Sequence, residues 1–99
     1  MLNREAVLEI LKQNKDMFRR KYGVTALYLY GSFSRDRASD TSDVDVLIEA
    51  PRKYKKYKNY LEMKRLLQRS FKREVDLVYR DSLNPVIKEE IKKETIKIE

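Results

Sequence analysis

Apolar residues recur along the chain in two rhythms, about every 3.6 residues and every second residue, and the switches between them mark helices and strands. Val7, Ile10, Leu11, Asn14 and Phe18 follow helical spacing and give a first helix one apolar stripe. Asn3 can cap it, and Glu5 in the first turn suits the positive end of the helix dipole. The helix is expected to stop near Tyr22-Gly23, where glycine accepts the left-handed conformation that ends helices. Val24 to Tyr30 is rich in β-branched and aromatic residues and reads as a strand buried on both faces, with Tyr28 and Tyr30 in the core.

Gly31-Ser32 breaks that strand. Residues 32–38 read as a short helix, and Ser39-Asp40-Thr41-Ser42 as loop. A second strand is predicted from Asp43 to Glu49, stopped by Pro51. A second helix runs from Tyr57 to Phe71, with Tyr60, Met63, Leu67 and Phe71 on one face. Glu74 to Tyr79 is a third strand. Asp81 or Ser82 can cap a last helix containing Val86, Ile87 and Ile91, and Thr95 to Ile98 reads as a final strand or a frayed tail. Helices alternating with strands predict an α/β fold, a small mixed β-sheet with helices packed mainly on one side. No linker, repeat or low-complexity tract divides the chain, so residues 1–99 are read as a single domain.

Composition narrows the chemistry. Among 99 residues there is no cysteine and no histidine, which removes disulfides, thiolate metal sites and the commonest general base. Catalysis would have to run on carboxylates, hydroxyls and bound metal. Charged residues make up 39% of the chain, its mean hydropathy is −0.74, and no run approaches the ~20 apolar residues of a membrane span. With no apolar signal core behind Met1, a soluble, cytoplasmic protein is expected. The net charge of +7 is uneven. Arg52 to Arg73 holds ten Lys/Arg against one acid, Glu62. That stretch reads either as a surface for phosphates, RNA or an acidic partner, or as a solvated helix face. Tyr54, Tyr57 and Tyr60 within it can stack on a base or cover lysine stems. Abundant Lys and Glu with two glycines also fits a thermophile.

The informative stretch is Gly31-Ser32, ten intervening residues, then Asp43-Val44-Asp45. On a strand Asp43 and Asp45 share a face, their Cα atoms roughly 6–7 Å apart, while Val44, Val46 and Ile48 take the buried face. Like charges this close repel unless neutralised, and an all-oxygen ligand set suits Mg²⁺. Asp76 is a further acid inside the apolar third strand. If the two strands are neighbours, Asp76 completes a cluster able to hold two metal ions ~3.5–4 Å apart, the arrangement of in-line phosphoryl displacement. Gly31 permits close backbone approach to a phosphate, Ser32 can donate a hydrogen bond, and Arg35 and Arg37 add positive charge. Ser34, Ser39 and Ser42 read as loop residues without chemistry of their own.

Gly31-Ser32-x10-Asp43-x-Asp45 resembles the signature of the polymerase-β-type nucleotidyltransferase superfamily. Gly-Ser-Phe-Ser-Arg followed by Ser42-Asp43-Val44-Asp45-Val46-Leu47 is similar to the minimal nucleotidyltransferase group, whose small members are often antitoxins paired with HEPN-domain RNase toxins. The resemblance covers nearly the whole chain and implies a polymerase-β-like nucleotidyltransferase core. It implies that Gly31 and Ser32 hold the β- and γ-phosphates of ATP, with Arg35 as a further phosphate contact. Asp43, Asp45 and Asp76 would bind two Mg²⁺ ions, Asp76 also helping to activate the acceptor. AMP would pass from ATP to a tyrosine of a HEPN toxin, silencing it. One departure is Asp36, where relatives commonly have glycine. The alternatives are a small-molecule acceptor, a nucleic-acid end, or an antitoxin that blocks its partner without catalysis.

Overall fold

The computed structural model describes residues 2–99. The first helix, α1 (Arg4–Tyr22), begins where expected: the Asn3 side chain accepts the Ala6 N–H at 2.9 Å. It ends at Gly23, whose φ of +70° turns the chain while its N–H reaches the Arg19 carbonyl at 3.1 Å. Val7, Leu11, Phe18 and Tyr22 form the buried stripe. Strand β1 (Ala26–Tyr30) follows, and β2 (Val44–Glu49) returns antiparallel to it. A 3₁₀ turn at Arg52–Tyr54 leads into α2 (Tyr57–Phe71), which matches the range predicted from its periodicity. Helix α2 is the crossover to β3 (Val75–Tyr79), which lies parallel to β2.

Beyond β3 the expected cap is corrected. Arg80–Ser82 forms a 3₁₀ turn, and Asn84 caps α3 (Pro85–Ile91), its side chain accepting the Ile87 N–H at 2.9 Å. Proline at the first helical position, with no N–H to satisfy, favours this later start. Asp81 instead pairs with Lys55. A two-residue strand, β4 (Ile96–Lys97), pairs antiparallel with Tyr28 and Leu29 of β1. Of the two expected endings, the strand is the one adopted. The sheet order is β3-β2-β1-β4, three helices accompany it, and no helix of the described residues is long and apolar enough to cross a membrane.

Helices α1 and α2 supply one side of the core. Phe18, Leu11, Met63 and Leu67 are fully buried with Leu27, Leu29, Val44, Val46 and Ile48 of the sheet. Burial of such side chains stabilises by about 1.5–3 kcal/mol each. Strand alternation sends Tyr28, Tyr30, Asp45, Leu47 and Asp76 to the opposite face. That corrects the reading of Tyr28 and Tyr30 as core: both are half-buried on the open face. Leu47 is fully buried even there, flanked in register by Tyr28 and Val78.

The end of α1 is fixed by close packing as well as by conformation. A Cβ at Gly23 would collide with the Tyr54 ring, and the positive φ would strain any L side chain. Gly23→Ala is expected to destabilise the fold by about 2–4 kcal/mol, read from the urea midpoint. An unchanged midpoint would show that neither the Tyr54 contact nor the left-handed conformation constrains this position.

Candidate active site

The site is built by backbone pairing across the open face. The parallel register sets Asp45 of β2 beside Asp76 of β3, and the antiparallel register sets Tyr30 on the other side of Asp45. Asp43 lies one residue before β2, exposed at the rim, where the Val44 N–H binds the Glu74 carbonyl at 3.0 Å. The buried valines and isoleucine behind them prevent a slip, since a shift of one residue would bury the acids instead.

Asp45 is half-buried, and its pKa is raised from 3.8 to about 6. Burial is the largest cause, the charges of Asp76 and Asp43 add to it, and Arg35 opposes it. The Tyr30 hydroxyl donates to Asp76 Oδ2 at 3.4 Å. Its pKa is pushed up by burial first and then by the charges of Asp76 and Asp45. Tyr30 therefore belongs to the site. Its apolar body conceals this in the sequence, although strand alternation places it opposite Leu29.

Gly31 lies directly against Asp45. With φ at +77°, it carries the backbone over the carboxylate, and a Cβ there would strike the oxygen and sit 2.9 Å from Asp45 Cγ. The following residues do not form the expected helix. They make one turn, closed by Arg35 N–H to the Gly31 carbonyl (3.2 Å) and Arg37 N–H to the Ser32 carbonyl (2.8 Å). Asp36 ends it with φ +59°, a conformation that glycine adopts without cost. The departure at this position thus has a local backbone meaning, and the Asp36 side chain is exposed. Among the described residues no acceptor is found for the N–H groups of Ser32, Phe33 and Ser34. Successive N–H groups of this kind at a turn suit an anion.

Two contacts from the far end of the fold hold the turn. The buried Ser34 hydroxyl is shared between the carbonyls of Gly31 (2.9 Å) and Glu94 (2.5 Å). Arg35 Nη1 pairs with the Glu94 carboxylate at 3.1 Å, both side chains partly exposed. Ser34, which reads as a plain loop residue, and Glu94, which no motif singles out, are therefore part of the site's framework. Neither is visible in the sequence, because their partner lies about 60 residues away.

The structure thus brings together Gly31, Asp45 and Asp76, with Tyr30 beside them. It leaves Asp43 at the rim, Ser32 half-exposed in the turn, and Arg35 engaged by Glu94. Among the described residues no three acids converge tightly enough to enclose an ion. The chemistry of the group still fits a hard divalent cation: the donors are all oxygen, and the carboxylates raise the pKa of Asp45 despite Arg35.

The nucleotidyltransferase domain family matches residues 8–98. This chain belongs to that family. The nucleotidyltransferase is 31% identical over 99 residues to the protein adenylyltransferase MntA of Thermococcus cleftensis, a match covering 97% of this chain and 96% of that protein. It is 32% identical over 92 residues to a candidate protein adenylyltransferase of Methanocaldococcus jannaschii, covering 91% and 92% of the two. Among solved structures, a candidate minimal nucleotidyltransferase superposes with TM-score 0.79 at 22% identity, covering 96% of this chain and 95% of that one. A complex of tri-AMPylated Shewanella oneidensis HEPN toxin with MNT antitoxin contains a chain matching at TM-score 0.65 and 18% identity, with 93% and 71% covered. These likenesses show the polymerase-β-like fold expected from the sequence.

Two stability measurements probe this geometry. The raised pKa of Asp45 means that the native state holds its proton more tightly than the unfolded chain, so this contribution to stability is lost as pH rises from about 4 to 6. With allowance for solvent screening, Asp45→Asn is expected to stabilise the metal-free nucleotidyltransferase by about 1–2 kcal/mol at pH 7. The gain should shrink below pH 4, as paired urea titrations would read; a gain independent of pH would refute the electrostatic origin. Asp36→Gly should raise stability by about 0.5–1 kcal/mol through relief of the left-handed conformation, measured the same way.

Proposed function

We propose that this nucleotidyltransferase moves AMP from ATP onto a tyrosine hydroxyl of a partner HEPN-domain RNase toxin, and that it thereby acts as the cytoplasmic antitoxin of the pair. The observation carrying the proposal is the placement of Asp45 and Asp76 side by side on the open face, under the Gly31 turn. An acceptor side chain from another protein can approach that face, where Asp76 is exposed. The relatives support the reading. The Thermococcus protein is a protein adenylyltransferase, one structural neighbour is a toxin–antitoxin with AMP-PNP, and another holds an AMPylated HEPN toxin.

In this reading Gly31, Ser32 and the unpartnered N–H groups of the turn receive the β- and γ-phosphates. Arg35 exchanges Glu94 for a phosphate oxygen. Asp43, Asp45 and Asp76 hold two Mg²⁺ ions, which when bound neutralise charge developing on the phosphates. Asp76 accepts the proton of the acceptor hydroxyl, and the hydroxyl oxygen displaces pyrophosphate from the α-phosphorus. The turn keeps the phosphates in line with the acid pair, which is where most of the rate enhancement of such transfers arises.

The test is intact-protein mass spectrometry of the neighbouring-gene product after incubation with this protein, ATP and Mg²⁺. A gain of one or more AMP units is expected, and Asp43→Asn/Asp45→Asn should lower the rate by at least ~10³-fold. A stable complex with no gain in mass would favour an antitoxin that acts by binding alone. Neither gain nor complex would point to a small-molecule or nucleic-acid acceptor.

A further inference from the structure

Arg73 lies in the basic stretch, yet it is turned inward rather than toward a partner. Helix α2 ends at Lys72 with φ +56°, and Arg73 follows at the threshold of β3, half-buried. Its Nη1 donates to the Ser42 carbonyl at 2.8 Å and to the Ser39 carbonyl at 3.2 Å, both in the loop that delivers Asp43. Its guanidinium carbon lies 5.1 Å from the centroid of Phe33, the buried ring of the turn that follows Gly31-Ser32. The next residue, Glu74, takes the Val44 N–H on its carbonyl. One side chain therefore touches the residue that follows Gly31-Ser32 and the residue that precedes Asp43. It does so from the link between α2 and β3, the strand that carries Asp76.

The loop it grips has few other ties. Ser39 and Ser42 bond to each other through the Ser39 N–H to Ser42 Oγ (2.8 Å) and the Ser42 N–H to the Ser39 carbonyl (3.2 Å), which shapes the loop without fixing it to the sheet. A planar guanidinium can lie on an aromatic face and donate at its edge at the same time; an ammonium can do only the second. We propose that Arg73 is a positioning residue that fixes the Asp43 loop against the phosphate turn and so sets the geometry of the metal site. The metal-binding part of this inference rests on the proposed function; the clamp itself does not.

The sign of its effect separates a clamp from a charge. Were Arg73 acting only through its charge, its removal would strengthen binding of a divalent cation by the nearby carboxylates. A clamp predicts weaker binding. Arg80 offers a matched control at the other end of β3, since it pairs with Glu49 at 3.0 Å and lies 5.3 Å from the Tyr28 ring centroid.

Mn²⁺ binding to the full chain without nucleotide, followed by electron paramagnetic resonance, and amide hydrogen exchange of residues 32–44 would be measured for the wild type, Arg73→Gln, Arg73→Lys and Arg80→Gln. Arg73→Gln should weaken Mn²⁺ binding by about tenfold and speed exchange in residues 32–44 by at least about tenfold, with Arg73→Lys intermediate. Arg80→Gln, at comparable loss of thermal stability, should change neither. Tighter Mn²⁺ binding in Arg73→Gln, unchanged exchange, or equal effects from Arg80→Gln would overturn the proposal. If wild type itself bound no Mn²⁺, the metal site would fail, whereas faster exchange confined to Arg73 variants would still support the clamp.

Discussion

Two carboxylates on neighbouring parallel strands have no freedom to separate when their backbones are in register and the opposite face of each strand is buried. Asp45 and Asp76 are held in that way. Val44, Val46 and Ile48 behind Asp45 and Val75 and Leu77 behind Asp76 are buried among α1 and α2, so the hydrophobic core, rather than any attraction between polar groups, sets the acids side by side. Gly31 completes the arrangement from β1, because only a residue without a side chain lets the backbone lie on the Asp45 carboxylate. The remaining features of the site are ways of holding this turn and these strands in place.

The electrostatic cost at Asp45 marks a familiar division between stability and activity. A site shaped only for folding would not retain an acid whose pKa is lifted to about 6 by burial and two like charges. Arg35 relieves part of that repulsion, and Glu94 in turn occupies Arg35. The guanidinium whose charge relieves Asp45 is thus shared with a second carboxylate.

Periodic elements are legible in the sequence because their signals are local. The Tyr57–Phe71 helix follows from its apolar stripe, and the Asn3 cap and Gly23 stop from residue chemistry. The acids of the site stand out because a carboxylate inside a β-branched strand is costly unless a partner or a metal ion compensates it. What the sequence conceals depends on register and on distant partners. Tyr30 looks like core because the antiparallel pairing that puts it beside Asp45 is not written in β1 alone. The stretch after Gly31 looks helical because its turn is closed by bonds at helix-like spacing, yet Asp36 leaves the helical region and ends it. Asn84 outcompetes Asp81 and Ser82 as the cap of α3 because Pro85 favours a helix that starts there. Arg73 sits within a run of basic residues, although its carbonyl and aromatic partners lie 31 to 40 residues before it in the chain.

The tie between Ser34 and the Glu94 carbonyl joins groups 60 positions apart, across both crossing connections of the sheet. Contacts of such separation form late when a chain folds, because the intervening loops must close first. A growing chain that has released residues through β3 already carries all three acids but has nothing to fasten the turn beside them. The turn beside the acids is fastened only when residues 94–98 arrive, dock Ile96 and Lys97 on β1 and bury Ile98. Assembly of the sheet edge and maturation of the site are therefore one event in time.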